Sequence, residues 1–349
     1  MNPMRTGVVL FNLGGPDSID AVEPFLINLF NDPAIVRLPQ PFRYAVARVI
    51  ARRRRATAQA IYERLGGRSP ILEETLRQAA ALETALTVGT GERTFKVVVA
   101  MRYWMPRSDE AAVALADWGA EEIALLPLYP QFSTTTTLSS LHDWARAAKN
   151  WRVTAPARAT CCWPMEAGLI QSIVAKLVPL LKDDPRLRVL FSAHGLPEAI
   201  VRAGDPYPIQ VGETVAAIIQ GLAEQGIASV DRQICYQSRV GPLKWIAPST
   251  DAEVRRAGVD GKGVIVVPIS FVSEHSETLV ELDHDYRRLA QDCGVPRYER
   301  VSTPGTDPAF IGGLARLVGE ALTRSTRIAS GVGRKLCADS PGCPLANRG

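Results

Sequence analysis

Two of the four histidines in this 349-residue chain follow runs of apolar residues that read as buried strands. Leu190-Phe191-Ser192-Ala193 leads into His194, and Val266-Val267-Pro268-Ile269 leads through Phe271 into Glu274-His275. In open α/β sheets, ligands collect outside the carboxyl ends of the strands. An imidazole there is placed to accept a proton or bind a metal near neutral pH. It is equally the kind of histidine that a core satisfies internally. Gly195-Leu196-Pro197 imposes a turn that would aim the ring outward. Downstream, Glu274, Glu277, Glu281 and Asp285 recur at spacings that share one face of a helix. Like charges so arranged destabilise an isolated helix by roughly 0.2–0.5 kcal/mol per pair. Two readings fit: a solvated acidic face, or a row of carboxylates that passes a divalent cation along.

The elements that must position these residues form an α/β alternation. Strands are predicted at 7–13, 95–101, 122–128, 187–193, 230–236, 263–269 and 297–302. Their near-continuous hydrophobicity suits parallel strands covered on both faces. Helical patterns such as 69–86 and 108–118 separate them. The chain also repeats itself faintly. Phe11-Asn12-Leu13-Gly14, Met101-Arg102-Tyr103 and Leu126-Pro127-Leu128-Tyr129 are echoed by Phe191-Ser192-Ala193-His194, Cys235-Tyr236-Gln237 and Val267-Pro268-Ile269. Two similar halves facing a cleft would account for this. The expected division is 1–155, 156–325 and a cysteine-containing tail at 326–349, with an amphipathic helix at 308–324 packing back on the first half.

A net charge of +4 is too small to argue for nucleic acid. No run of about 18 apolar residues is present, and the N-terminus lacks the regions of a signal peptide, so a cytoplasmic protein is expected, with peripheral membrane contact open. The basic run Arg52 to Arg55 is either a solvated helix face or an anion site. Asn12-Leu13-Gly14-Gly15-Pro16 lacks both the dinucleotide spacing and the Walker lysine, so no nucleotide is expected. The stretch around Phe25 to Phe30 reads as core helix or as a greasy lip for a flat ligand or a membrane. Six cysteines in so long a chain are not a disulfide framework; Cys235 and Cys293 read as core.

Taken in order, these motifs resemble the ferrochelatases over roughly residues 6–325. The matches are Asn12-Leu13-Gly14-Gly15-Pro16, Tyr62 with Gly66-Gly67 and Ser69-Pro70, Arg102-Tyr103, Tyr129-Pro130-Gln131-Phe132-Ser133 and Ser192-Ala193-His194-Gly195-Leu196-Pro197. Gly204-Asp205-Pro206-Tyr207-Pro208, Gln237-Ser238-Arg239-Val240-Gly241-Pro242 with Trp245, and the segment from Glu274 to Asp283 complete the set. The resemblance implies two Rossmann-like, doubly wound halves with parallel sheets around a porphyrin cleft, and insertion of Fe2+ into the porphyrin with release of two protons. By position, His194 and Glu277 are the implied catalytic pair and implied metal ligands as well, with Glu274, His275 and Glu281 along the same metal or proton path. Asn12, Leu13, Arg55, Tyr62, Ser69, Arg102, Tyr103, Tyr129, Trp245 and Phe271 are implied near the porphyrin. Leu13, where relatives that use coproporphyrin III carry tyrosine, implies protoporphyrin IX; coproporphyrin III is the alternative.

Some relatives hold a [2Fe–2S] cluster on a cysteine-rich tail plus one internal cysteine. Here the tail keeps Cys337 and Cys343, and the internal position used in animal relatives is Thr134. A cluster needs four protein ligands, which would recruit the adjacent Cys161 and Cys162; a degenerate tail is the other reading. The competing functions are a chelatase for a more reduced tetrapyrrole and a non-catalytic porphyrin or haem carrier.

Overall fold

The computed structural model describes residues 3–88, 91–239, 241–332, 336 and 340–342. Its strands are β1 (Met4–Asn12), β2 (Arg93–Met101), β3 (Glu122–Pro127), β4 (Ala157–Thr160), β5 (Arg188–His194), β6 (Arg232–Gln237), β7 (Val264–Pro268), β8 (Tyr298–Arg300) and β9 (Ile328–Ala329). They form two sheets, ordered β2-β1-β3-β4-β9 and β6-β5-β7-β8. Every pairing is parallel. Parallel neighbours need long crossovers, which the intervening helices supply. Setting β9 aside, the two sheets share one permutation of strand order, which accounts for the repeat seen in the sequence. The order reverses between β1 and β3 and again between β5 and β7. Such reversals open a crevice at the carboxyl ends of the strands. Asn12 and Pro127 end the strands at the first reversal; His194 and Pro268 end them at the second.

Each predicted strand is present. β4 and β9 were not expected, because strands of 4 and 2 residues are too short to show a period. The chain divides into two compact units, the first running to Cys162 and taking back the stretch from Leu314, the second holding Trp163–Gly313. In the first, Val9, Phe11, Leu115, Ile123 and Trp144 are buried together. In the second, Leu190, Val254, Val264, Val266 and Leu282 do the same. Burying each such aliphatic or aromatic side chain is worth roughly 1.5–3 kcal/mol. Cys235 belongs to that second core, whereas Cys293 is only half-buried, at variance with its reading as core. Among the described residues, no helix is long and apolar enough to cross a membrane.

The end of β5 tolerates no side chain beyond His194. A Cβ on Gly195 would lie 2.8 Å from the Gln237 carbonyl oxygen and 3.2 Å from the Trp245 ring. Gly195 donates its N–H to that same carbonyl, so the approach is fixed by the ladder. Gly195→Ala is therefore expected to cost about 1–3 kcal/mol, the usual price of overpacking, read as a lower urea midpoint. An unchanged midpoint would mean that this strand end has slack.

Candidate active site

His194 is paired in register with Gln237, the last residue of β6. Gln237 is completely buried and accepts a 2.8 Å hydrogen bond from the Ser192 hydroxyl at its Oε1, which points its amide nitrogen the other way. After β7 the chain turns through Phe271 into a π-helix, Glu277–Tyr286. Such i→i+5 turns are rare and concentrate at functional sites. Here it brings Glu277 to His194, with Nδ1 of the imidazole 2.7 Å from Glu277 Oε2. Ser238 approaches the same oxygen with its hydroxyl at 2.8 Å. That hydroxyl also lies 2.5 Å from Glu281 Oε2, and the Ser238 N–H donates to Glu281 Oε1 at 2.8 Å. Tyr286 donates its hydroxyl to Glu281 Oε1, and Gln237 Nε2 donates to the Glu277 carbonyl oxygen. Phe271 stands between two histidines, its ring centroid 4.7 Å from that of His275 and 6.4 Å from that of His194. Trp245 is tied beside the turn after His194 by a bridge to Pro197.

A family model described as ferrochelatase matches residues 5–322. The chain belongs to the ferrochelatase family. It is 50% identical over 350 residues to the ferrochelatase of Phenylobacterium zucineum, covering 99% of each chain. It is 48% identical over 344 residues to that of Caulobacter vibrioides, covering 97% of each. Among solved structures, SirB from Bacillus subtilis with Fe3+ superposes with a TM-score of 0.52 at 14% identity, over 92% of this chain and 96% of that one; at that identity the likeness speaks for the fold alone. As a ferrochelatase, the chain is an enzyme, a metal chelatase of the lyase class that inserts iron into a porphyrin in haem biosynthesis.

The electrostatics of this ferrochelatase site set its proton-holding groups apart. Loss of water opposes the charged ring of His194, but the Glu277 charge, their hydrogen bond and the more distant Glu281 outweigh it and raise its pKa. Burial likewise opposes ionisation of Glu277. His194, His275 and the Ser238 hydroxyl together overcome that and hold the carboxyl well below its usual range. Glu281 goes the other way: burial and the Glu277 charge push it up, despite bonds from Ser238 and Tyr286. Burial keeps His275 low, and its Nδ1 lies 3.1 Å from the Ser273 carbonyl oxygen. His194 still exposes 38% of its side chain, so a ligand can reach it.

The rest of the acid row does not converge here. Glu274 precedes the π-helix and is held by Arg300 at 2.8 Å and by the Thr303 N–H at 2.9 Å. Asp285 is exposed. Of the row, Glu277 and Glu281 share the site, because Ser238 gathers both while Arg300 draws Glu274 away.

The first unit assembles a separate set. Arg102 donates through Nη2 to Asp32 at 2.7 Å and through Nε to Ser139 at 2.6 Å. Tyr103 is buried and donates its hydroxyl to the same Asp32 oxygen at 2.9 Å. Asn12 is buried against Thr75, Tyr62 and Ser69 are buried, and the hydroxyl of Tyr129 is buried, which pushes its pKa up. Leu13 packs on the cluster of Val22, Phe25, Tyr62 and Tyr103. Arg55 lies on the surface, paired with Glu23. Cys161 and Cys162 are buried with their sulfurs 3.6 Å apart, while Cys337 and Cys343 lie outside the described residues. Of the four cysteines considered for a cluster, the described residues thus include two. Among the described residues, no group of three or more His, Cys, Asp and Glu is arranged to hold a metal ion. Reading the sequence for chemistry missed Ser238, Gln237, Tyr286, Asp32 and Ser139; Ser238 was visible only as part of a motif, with no sign of its contacts.

Glu277→Gln removes the charge that raises the His194 pKa and leaves the burial that lowers it. In an NMR titration of the imidazole, His194 is therefore expected to titrate at lower pH in Glu277→Gln than in the wild type. An unmoved midpoint would show that the pair is not coupled. In the wild type, the raised His194 contributes stability below its unfolded pKa of about 6.5, and that contribution is lost as pH rises through the folded value. The depressed Glu277 contributes stability above about 4.3, lost as pH falls through its folded value.

Proposed function

We propose that this ferrochelatase inserts Fe2+ into protoporphyrin IX, with His194 and Glu277 as its proton-handling pair. The observation that carries the assignment of roles is the 2.7 Å contact between His194 Nδ1 and Glu277 Oε2 at the carboxyl end of β5. With Nδ1–H donated to the carboxylate, neutral His194 keeps its lone pair on Nε2. A free porphyrin carries two inner N–H protons, and ferrous iron cannot be enclosed by four nitrogens until both leave. Binding that saddles the ring tilts the pyrrole nitrogens outward and spends binding energy on distortion. His194 Nε2 takes a pyrrole proton as general base, and the adjacent carboxylate stabilises the imidazolium that forms. Glu281, whose proton affinity is raised, is the next acceptor, linked to Glu277 through Ser238, and His275 stands beside Glu277. Iron loses water as it gains four pyrrole nitrogens; the two protons leave, and no electron changes hands. Phe271 and Trp245 offer rings to the faces of the macrocycle. Arg102 and Tyr103 belong to the set near the porphyrin, with Arg102 held in place by Asp32.

Leu13 supports protoporphyrin IX over coproporphyrin III, since an apolar side chain packed on an apolar cluster offers no hydrogen bond to an extra carboxylate. A peripheral membrane contact of a cytoplasmic enzyme is supported by Leu38, Phe42, Tyr44 and Val49, apolar and exposed in one stretch of chain, interleaved with Arg43 and Arg48. Apolar side chains flanked by arginines suit an anionic lipid surface.

Anaerobic Fe2+ insertion by the purified chain, followed by absorbance with each porphyrin in parallel, tests the substrate. Faster turnover of protoporphyrin IX is expected, and a preference for coproporphyrin III would overturn the reading of Leu13. His194→Ala and Glu277→Gln are each expected to lower kcat by about 10²–10⁴, the usual worth of a positioned acid or base, with porphyrin affinity within a few-fold of wild type. Near-normal turnover in either would overturn the roles. Phe42→Ser is expected to reduce co-sedimentation with vesicles containing anionic phospholipid; equal pelleting of both proteins would remove that contact.

A further inference from the structure

Among the described residues, Arg152 and Ser238 are the non-glycine residues with backbone in the left-handed region, Ser238 at φ 62°. Arg152 sits exposed just past a helix end. Ser238 follows β6 directly, at a place where glycine would sit without steric cost and a side chain needs a reason to be kept. Its contacts supply one. Glu277 Oε2 receives His194 at 2.7 Å and the Ser238 hydroxyl at 2.8 Å. The hydroxyl has one proton: given to Glu277 Oε2, it leaves the serine oxygen to accept from a protonated Glu281 carboxyl, whose Oε2 lies 2.5 Å away. Two donors on one oxygen then fix the plane of the Glu277 carboxylate; one alone leaves it free to rotate about its last bond. Among the described residues, neither polar neighbour replaces the hydroxyl. Gln237 Nε2 holds the Glu277 main-chain oxygen at 3.1 Å, not its side chain, and His275 Nε2 stands 3.9 Å from Oε1.

We propose that Ser238 is a positioning residue for metallation: its hydroxyl orients Glu277 against His194, and its amide holds the Glu281 carboxylate alongside. The role rests on the reading of His194 and Glu277 as the proton-handling pair. Ser238 touches no reacting atom. It acts through Glu277, as outer-shell partners do when they tune a site by 10- to 100-fold, in order of magnitude. The left-handed turn is what lets one residue present both its hydroxyl and its N–H to carboxylates four positions apart on the π-helix.

The test uses the full chain with Ser238→Gly and Ser238→Ala. Glycine keeps the turn and the N–H bond to Glu281 Oε1 and removes the hydroxyl with its side chain, so this variant is expected to fold, relief of the left-handed strain offsetting part of the lost hydrogen bond. Its kcat for Fe2+ insertion is expected to fall by about 10- to 100-fold, with KM for protoporphyrin IX unchanged. Ser238→Ala is expected to lose at least as much. Wild-type kcat in Ser238→Gly, or a loss confined to KM, would overturn the role of Ser238 while leaving the function standing. A wild-type chain that metallates no porphyrin would overturn both.

Discussion

A carboxylate taken out of water stays ionised only where fixed donors replace the water it has lost, and this constraint shapes the second unit. Glu277 is held between an imidazole and a serine hydroxyl on the same oxygen, with its main-chain oxygen tied to Gln237. Each of those donors comes from the end of a neighbouring strand. His194 closes β5 and Gln237 closes β6, with Ser238 directly after it, in a parallel register that sets His194 opposite Gln237. The acceptors come from the π-helix that follows β7. The switch-point order β6-β5-β7 therefore matters chemically: it brings the ends of three strands together around a single carboxylate.

Two glutamates a helical turn apart would ordinarily behave alike. Here their surroundings separate them. Glu277 faces His194 and ionises readily, and its charge then makes Glu281 harder to ionise. In the proposed mechanism such an asymmetry is useful, because one group would pair with imidazolium while the next would hold a proton. The first unit solves the same problem of buried charge with a different inventory. Asp32 gathers Arg102, Tyr103 and Ser139 on one oxygen, with Arg102 following the carboxyl end of β2. The shared strand order of the two units is a scaffold, and the side chains at the strand ends give each its own chemistry.

The sequence by itself determined the parallel α/β class, because fully buried strands write continuous runs of Val, Ile and Leu. It put His194 and the acid row after two such runs, and the ordered motifs pointed to the family and, within the row, to Glu277. Short elements escaped it: β4 and β9 are held by pairing with distant partners, and 4 and 2 residues carry no period. The acid row shows most clearly where sequence stops. Its spacing implied one shared face, yet a π-helix replaces the expected winding, Arg300 takes Glu274, and Asp285 meets solvent. Spacing along a chain fixes which side chains can share a face. Which of them meet is decided by charges and backbone groups brought in from elsewhere, and those arrive only with the tertiary fold.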